Sequence, residues 1–204
     1  MSGLRARQKA DRERRILEAA SRLFREAGYE GAKIEWIAAQ AEVSVGTIYN
    51  YYRNKGDVLV AIVAMEVDEV VNSGRGVVAH PPANVGDAVD TLIGIYIEHS
   101  LIYLSKEMWR QAMAISTSQP DSPFGRTYSG LDRALTDQIC ELMQRLKDRG
   151  AIRADIDVRA AGELVFNNMN MMFIEFVKRE EATIADLRAS LRRQNRVLVQ
   201  AMTG

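Results

Sequence analysis

Residues 43–52 read VSVGTIYNYY, and this short stretch decides the fold that we predict. It has no charged side chain, but it offers hydroxyls, an amide and three aromatic rings. A buried helix of that length would more often be aliphatic. Ser44 can cap a helix here, because its hydroxyl can accept the backbone amide of Thr47. The stretch therefore predicts a short helix that turns a polar surface towards a partner.

The segments upstream place this helix in a recognisable order. Residues 9–27 carry apolar side chains at helical spacing, and Gly28 ends that pattern because glycine accepts a positive φ at little cost. A second, short helix is predicted at about 34–40, and a turn at 41–43 joins it to the third. Two short helices joined by a tight turn, after a longer one, are typical of a helix-turn-helix DNA-binding domain.

Downstream, the sequence predicts six further helices. Asn54 can cap the fourth, with Asp57 as its capping-box partner, and this helix runs over about 55–72, where Gly74 and Gly76 loosen it. The others are predicted at about 84–104, 106–116, 122–150, 158–178 and 184–202. No segment alternates polar and apolar residues for long enough to form a strand. The predicted fold class is therefore all-α, with about nine helices.

Composition excludes several classes of protein. The 204 residues include 27 Lys and Arg, 27 Asp and Glu, 47% apolar residues and a single cysteine, Cys140. One cysteine cannot form an intramolecular disulfide, and with only His80 and His99 beside it no Cys/His zinc site is expected. No apolar run is long enough to span a membrane, and no signal-peptide core follows the basic N-terminus. We expect a cytoplasmic protein without metal or cofactor.

The charge is unevenly distributed along the chain. Residues 1–60 carry 11 basic and 8 acidic side chains, although the whole chain is neutral. A basic arm, Arg5–Arg15, accounts for all of this excess; its basic members are Arg5, Arg7, Lys9, Arg12, Arg14 and Arg15. Such an imbalance suggests a polyanionic partner. The sequence leaves open whether the arm contacts DNA or is a solvated, frayed segment.

Over about residues 10–62 the chain resembles the N-terminal domain of the TetR family of repressors. The positions that carry the resemblance are Ala20–Phe24, Gly28-Tyr29, Ile37-Ala38, Ala41, Val43–Tyr52, Lys55 and Leu59. The resemblance implies an all-helical homodimer, a three-helix DNA-binding domain on each subunit, and a body that binds a small molecule. It also implies that the groove-facing residues are Ser44, Val45, Gly46, Thr47, Asn50 and Tyr51. Tyr49 and Lys55 would hold phosphates.

Three positions depart from the family pattern. Lys33 stands where a Ser or Thr usually caps the second helix; a lysine cannot cap, although it can still reach a phosphate, so we keep it as a DNA contact. Val45 replaces a common lysine and could contact a thymine methyl group. Tyr52 replaces a common phenylalanine, and we expect its ring in the core with the hydroxyl at the edge. Because of these departures, the resemblance does not predict the sequence of the operator.

The domain boundaries follow from these patterns. We expect residues 1–54 to form the DNA-binding domain and 55–204 the ligand-binding and dimerisation domain, with helix 55–72 connecting the two. Helix 158–178 is apolar nearly all round and must be buried on more than one side. We therefore expect a homodimer through helices 158–178 and 184–202; the alternative is a purely intramolecular core.

Aromatic, methionine and amide side chains of the body are the candidates for an effector pocket. They are Tyr96, Tyr103, Met108, Trp109, Met113, Phe124, Tyr128, Phe166, Asn167, Asn170 and Phe173. The composition favours a medium-sized, largely apolar or aromatic effector. Asn167 and Asn170 are unusual on so apolar a helix, and they either hydrogen-bond a ligand or pair across the dimer.

The most direct interpretation is a ligand-responsive transcriptional repressor that an effector releases from a double-stranded DNA operator. No Ser/His/Asp, Cys/His or paired-carboxylate arrangement rises above chance, so we do not expect an enzyme. The alternative is an all-helical small-molecule-binding protein or enzyme with a vestigial DNA-binding domain. An activator would have the same sequence features. We interpret Cys140 as a buried small hydrophobe and His99 as a structural histidine.

Overall fold

A computed structural model describes residues 2–203, with the side chains of Ser2 and Arg5 outside the description. The described residues form nine helices and no strand, which confirms the all-α prediction. The helices are α1 (Ser2–Gly31), α2 (Ile34–Gln40), α3 (Val45–Tyr49), α4 (Lys55–Ala79), α5 (Val85–His99), α6 (Lys106–Ser118), α7 (Pro123–Asp148), α8 (Val158–Lys178) and α9 (Ile184–Thr203).

Side-chain caps begin the helices where the sequence predicts them. The Ser44 hydroxyl accepts the amide of Thr47 at 3.0 Å, and the Asn54 side chain accepts the amide of Asp57 at 2.9 Å. These bonds satisfy amides that have no partner within the helix. The predicted capping box at Asn54 is wrong in one detail. The Asp57 carboxylate accepts the backbone and guanidinium N–H groups of Arg53, and that bonding holds the pKa of Asp57 below its usual range.

Three helix ends differ from the prediction. Helix α1 begins at Ser2 rather than at residue 9, α5 ends at His99 rather than at 104, and α4 continues to Ala79. At Gly74 a Cβ atom would lie 2.5 Å from Oε1 of Gln138 and 2.7 Å from Cδ1 of Leu92. This glycine therefore allows a close approach of neighbouring helices instead of loosening α4.

The chain forms two compact units. The first comprises Met1–Met65 and Ile102–Tyr128, and the second comprises Glu66–Leu101 and Ser129–Gly204. Helix α4 contributes residues to both. These units do not share the boundary that we predict after residue 54, and the functional division into 1–54 and 55–204 stays a prediction.

The first unit packs α1, α2, α3 and α6 around fully buried apolar side chains, among them Ile16, Phe24, Ile37, Ile48 and Met108. Burial of such side chains contributes about 1.5–3 kcal/mol each.

Three hydrogen bonds tie α1 to residues 102–107. The Ser21 hydroxyl donates to the carbonyl of Tyr103 at 2.5 Å, and the Arg25 guanidinium donates to that of Ile102 at 2.7 Å. The amide of Tyr29 donates to the Glu107 carboxylate at 3.2 Å. This last bond lies beside Gly28, whose φ of +74° interrupts α1 as the sequence predicts. These bonds thus hold the segment that leads into α6 against α1.

The second unit packs α9 against α5 and α8. Arg192 pairs with Asp90 at 2.5 Å, and Arg188 pairs with Glu98. On α8, the Asn168 amide donates to the Asn195 side-chain oxygen at 2.9 Å. Ion pairs with α5 and a hydrogen bond with α8 thus accompany the apolar packing of α9.

His99 and Cys140 occupy the structural positions that we predict. Nδ1 of His99 lies 2.8 Å from the Glu66 carboxylate, and Nε2 lies 3.3 Å from that of Glu69. Cys140 is 8% exposed, and burial raises the pKa of its thiol. Within the described part of the chain, no group of three His, Cys, Asp or Glu side chains could hold a metal ion. No helix among these residues has the length and apolar character needed to cross a membrane.

Candidate nucleic-acid interface

Helix α3 is buried on one side and open on the other. Ile48 is completely buried and Tyr52, just after the helix, is 7% exposed, so these two side chains anchor it to the core. The predicted groove-facing residues are all exposed or half-exposed; they are Ser44, Val45, Gly46, Thr47, Asn50 and Tyr51. The helix therefore presents a hydroxyl- and amide-bearing surface of the kind that reads base edges in a major groove.

Two hydroxyls at the start of α3 are held in fixed positions. The hydroxyls of Ser44 and Thr47 lie 2.8 Å apart, and the Ser44 oxygen also accepts the amide of Thr47. A side chain that is already ordered loses less conformational entropy when it binds. The Ser44 and Thr47 hydroxyls are therefore already ordered for a hydrogen bond to a binding partner.

Gly46 leaves open space at the surface of α3. A Cβ atom there would meet only the Ser44 hydroxyl, at 3.8 Å, and the backbone of Gly46 does not have a positive φ. Neither packing within the chain nor backbone conformation requires glycine at this position. The open space leaves room for another molecule to approach the backbone closely at Gly46.

The three tyrosines separate into different roles. Tyr49 is 52% exposed and free to reach outwards. The ring of Tyr52 is buried, its hydroxyl donates to the Glu13 carboxylate at 3.3 Å, and burial raises its pKa. This confirms the prediction of a core ring with its hydroxyl at the edge. Tyr51 is half-exposed, and its ring lies 5.9 Å from the ammonium of Lys9.

Lys33 occupies the N-cap position of α2 and makes no side-chain cap, as we predict. Its ammonium lies 5.4 Å from the ring centroid of Trp36, which is 47% exposed. Sequence reasoning missed Trp36. The available signal was a large aromatic residue three positions after a lysine, beside the buried pair Ile37 and Ala38.

Lys55 has partners within the chain. Its ammonium donates to the carbonyls of Glu30 at 2.9 Å and Ala32 at 3.3 Å, and it lies 4.7 Å from the ring centroid of Tyr29. Glu30 lies in the last turn of α1 and Ala32 directly after it, at the helix end where carbonyls lack partners within the helix. Lys55 therefore has a structural role that the sequence did not indicate, and its contact with a phosphate stays a prediction.

The effector candidates fall in both compact units. In the first unit, Met108, Trp109, Phe124 and Tyr128 are buried, whereas Tyr103 and Met113 are half-exposed.

The candidates in the second unit differ in exposure. Tyr96, Phe166 and Phe173 are buried there, and the Tyr96 hydroxyl donates to the Gln138 side chain at 2.5 Å. Asn170 is half-exposed and Asn167 is exposed.

The helix order and the exposed α3 surface are those of a helix-turn-helix DNA-binding domain. Residues 16–62 match the family described as "Bacterial regulatory proteins, tetR family". Over these residues the chain carries the DNA-binding domain of the TetR family. The match ends within α4, so it covers the DNA-binding helices and the start of the helix that follows.

Three known proteins illustrate the similarity. The transcriptional repressor KstR of Rhodococcus jostii is 35% identical over 65 residues, which is 32% of this chain and 31% of that protein. The fatty acid metabolism regulator protein of Bacillus subtilis is 23% identical over 180 residues, covering 86% of this chain and 88% of that protein. The crystal structure of the repressor FadR of Thermus thermophilus, in complex with lauroyl-CoA, has a TM-score of 0.69 at 24% identity.

That last similarity covers 93% of this chain and 94% of FadR, and it concerns the fold. The match to KstR spans about a third of that protein's own length. All three proteins are named as regulators or repressors rather than as enzymes.

Proposed function

We propose that this protein is a transcriptional repressor that binds an operator as a homodimer and is released by a small, largely apolar effector. The observation that carries the proposal is α3, whose Ser44, Thr47, Tyr49 and Asn50 side chains lie at the surface while Ile48 fixes the helix from behind. A vestigial DNA-binding domain would have no need of so polar an open surface.

The DNA-binding role is tested with the full chain and DNA from around its own gene. Wild-type protein is expected to shift this DNA in a gel, and to bind it more tightly than a scrambled duplex. Thr47→Ala and Asn50→Ala are expected to change the sequence preference, whereas Tyr49→Phe is expected to weaken binding to all duplexes alike. Failure of the wild-type protein to bind any duplex at low salt would overturn the proposal.

The dimer is supported by an exposed apolar face on α8. Leu164 is 54% exposed and Met171 is 57% exposed, and both lie on the helix side that also carries the exposed Asn167. Val197 on α9 is 66% exposed. Apolar side chains that share a helix face and lack cover are typical of a subunit interface. In this arrangement Asn167 lies within the interface, as one of its two predicted roles requires.

The dimer provides a mechanism for release. In a two-fold dimer on a palindromic operator, the two α3 helices lie roughly 34 Å apart, one turn of DNA. An effector that binds better to a dimer of different spacing lowers operator affinity, through a coupling free energy of about 1–3 kcal/mol.

An acyl chain is the effector class that we infer. FadR of Thermus thermophilus binds lauroyl-CoA, and the Bacillus subtilis relative is named a regulator of fatty acid metabolism. In this chain, the buried aromatic candidates of the second unit are Tyr96, Phe166 and Phe173, whose side chains are apolar apart from one hydroxyl that bonds to Gln138. Such a surface suits a hydrocarbon chain better than a polar ligand.

Lauroyl-CoA, lauric acid and coenzyme A are the probes for this inference. Lauroyl-CoA is expected to raise the melting temperature of the protein and to weaken its binding to DNA at least fivefold. Coenzyme A alone is expected to do neither. If none of the three changes either property, the acyl effector is wrong, whereas DNA binding is still tested separately by the gel shift.

A further inference from the structure

The first part of α1 is a helix without a core. Every residue between Gly3 and Arg12 whose exposure is described is exposed, and the first fully buried side chain is Ile16. A helical segment that buries no apolar surface gains little stability beyond its own backbone bonds. The basic arm is therefore an open surface, and its chemistry decides what it can bind.

The acidic side chains of the arm are already engaged. Asp11 accepts a hydrogen bond from Arg14 at 3.1 Å and lies 3.7 Å from Arg15, and the Glu13 carboxylate accepts the hydroxyl of Tyr52. By contrast, Arg7, Lys9 and Arg12 form no ion pair with any described residue. The net positive charge of the arm is therefore carried by side chains that face solvent.

Lys9 lies at the edge of the predicted DNA-binding surface. The Tyr51 hydroxyl donates to its carbonyl at 3.5 Å, and its ammonium lies 5.9 Å from the Tyr51 ring. Arg12 is three positions further on, so its side chain leaves the same side of the helix. The two cations extend the α3 surface beyond its C-terminal turn.

We propose that Lys9 and Arg12 bind backbone phosphates of the DNA that flanks the bases read by α3. This inference rests on the proposed function, since it needs α3 to lie on a duplex. Two cations without an acidic partner beside a DNA-reading helix complement the charge of a polyanion. Lysine and arginine side chains both donate hydrogen bonds to phosphate oxygens.

The helical form of the arm restricts how it meets DNA. An α-helix with side chains is about 10–12 Å across, whereas the minor groove of B-DNA is about 6 Å wide. The arm therefore lies along the phosphates instead of entering the minor groove as an extended arm would. Contacts of this kind add affinity for any sequence and depend strongly on salt.

The test compares two charge-matched double variants of the full chain. Lys9→Gln/Arg12→Gln removes the two unpaired cations. Arg14→Gln/Arg145→Gln removes the same charge from cations that are each paired with acids on their own helix. Binding to an arbitrary 40-base-pair duplex is measured by fluorescence anisotropy between about 20 and 200 mM KCl, and circular dichroism checks the fold.

Each phosphate contact contributes about 0.9 to the slope of log affinity against log salt concentration. The Lys9/Arg12 variant is expected to lose about 1.8 of this slope per protomer, and the control variant much less. Hydroxyl-radical footprints on the DNA from around the protein's own gene are expected to lose protection only in the flanks of the protected site. Equal slopes for the two variants would overturn the inference, as would unchanged flank protection.

The wild-type measurement separates the two possible failures. If wild-type protein binds no duplex even at 20 mM KCl, both the proposed function and this inference are wrong. If wild-type protein binds but the Lys9/Arg12 variant behaves like the control, only the role of the arm is wrong.

Discussion

At the scale of single residues, a substitution at Gly46 is expected to affect DNA binding without reducing the stability of the fold. Because its surroundings are open, Gly46→Ala is expected to leave the free energy of unfolding unchanged or to raise it by up to about 1 kcal/mol, as helix propensity predicts. The added methyl group is expected to weaken operator binding roughly tenfold, about 1.4 kcal/mol, by blocking close approach. Urea unfolding and anisotropy titrations measure the two quantities.

A matched control for Gly46 exists on α7. A Cβ atom at Gly130 would meet nothing within 4 Å, so Gly130→Ala tests helix propensity alone. This variant is expected to bind DNA as the wild type does. If Gly46→Ala also binds normally, the open space at Gly46 has no role in recognition.

Lys55 has two separable roles to test. Lys55→Gln removes the bonds to two carbonyls and the contact with the Tyr29 ring, so stability without DNA is expected to fall by about 1–2 kcal/mol. Lys178→Gln, an exposed pair with Glu175, is expected to cost less than about 0.5 kcal/mol. Urea unfolding measures both, and equal losses would contradict the structural role.

The phosphate contact of Lys55 is tested by measuring how the DNA affinity of Lys55→Gln depends on salt concentration. A phosphate contact would lower the slope by about 0.9 in the variant. A variant that is destabilised but keeps its slope would assign Lys55 to folding alone.

Sequence reasoning succeeded at residues whose role depends on near neighbours. The cap at Ser44 and the positive φ of Gly28 follow from positions within a few residues, and the burial of Tyr52 follows from the family resemblance. The carbonyl partners of Lys55 lie 23 and 25 positions away along the chain. No periodicity in the sequence reports a contact at that distance.

At the scale of elements, Glu66 on α4 links stability to pH. Burial raises its pKa to about 7, even though the neighbouring His99 acts in the opposite direction, and its Oε2 atom is buried without a hydrogen-bond partner. The folded protein therefore holds a proton on Glu66 more tightly than the unfolded chain does. Stability from this group is present below the unfolded pKa of about 4.5 and is lost as pH rises through about 7.

Glu66→Gln is expected to remove much of that pH dependence. Between pH 5 and pH 8 the wild type is expected to lose on the order of 3 kcal/mol that the variant does not lose. Urea unfolding at several pH values measures the difference, with the exposed Glu141→Gln as a control. A pH profile that is the same in wild type and Glu66→Gln would mean that Glu66 does not titrate in this range.

The exposed face of α8 tests the dimer. Met171→Glu places a charge on the exposed apolar face, so the protein is expected to sediment as a monomer at micromolar concentration. Ile102→Glu is the control, because Ile102 is also exposed, at 48%, but lies in the first unit. If Met171→Glu sediments as the wild type does, the subunit interface lies elsewhere.

The order of the helices could be predicted, but not all of their ends. Caps at Ser44, Asn84 and Asp157 are local signals, and the structure contains each of them. Gly74 was misleading because glycine both ends helices and permits close packing. The positions of Leu92 and Gln138 in the folded chain show that Gly74 permits close packing and does not end the helix.

At the scale of the whole molecule, the sequence did not predict the grouping of α6 with the DNA-binding helices. The bonds of Ser21 with Tyr103 and of Tyr29 with Glu107 join positions 82 and 78 residues apart. The family resemblance ends at about residue 62 and so contains only one side of each bond. Long-range contacts of this kind emerge only from the folded chain.

These bonds have a consequence for anyone who wishes to isolate the DNA-binding part. A fragment of residues 1–65 lacks the partners of Ser21, Arg25 and Tyr29, and it exposes the α1 surface that α6 covers. It is expected to melt at least 10 °C below the corresponding transition of the full chain, or to be unfolded, in calorimetry. Transplanting this specificity onto another protein would therefore require residues 102–128 as a companion piece, supplied in cis or as a second polypeptide.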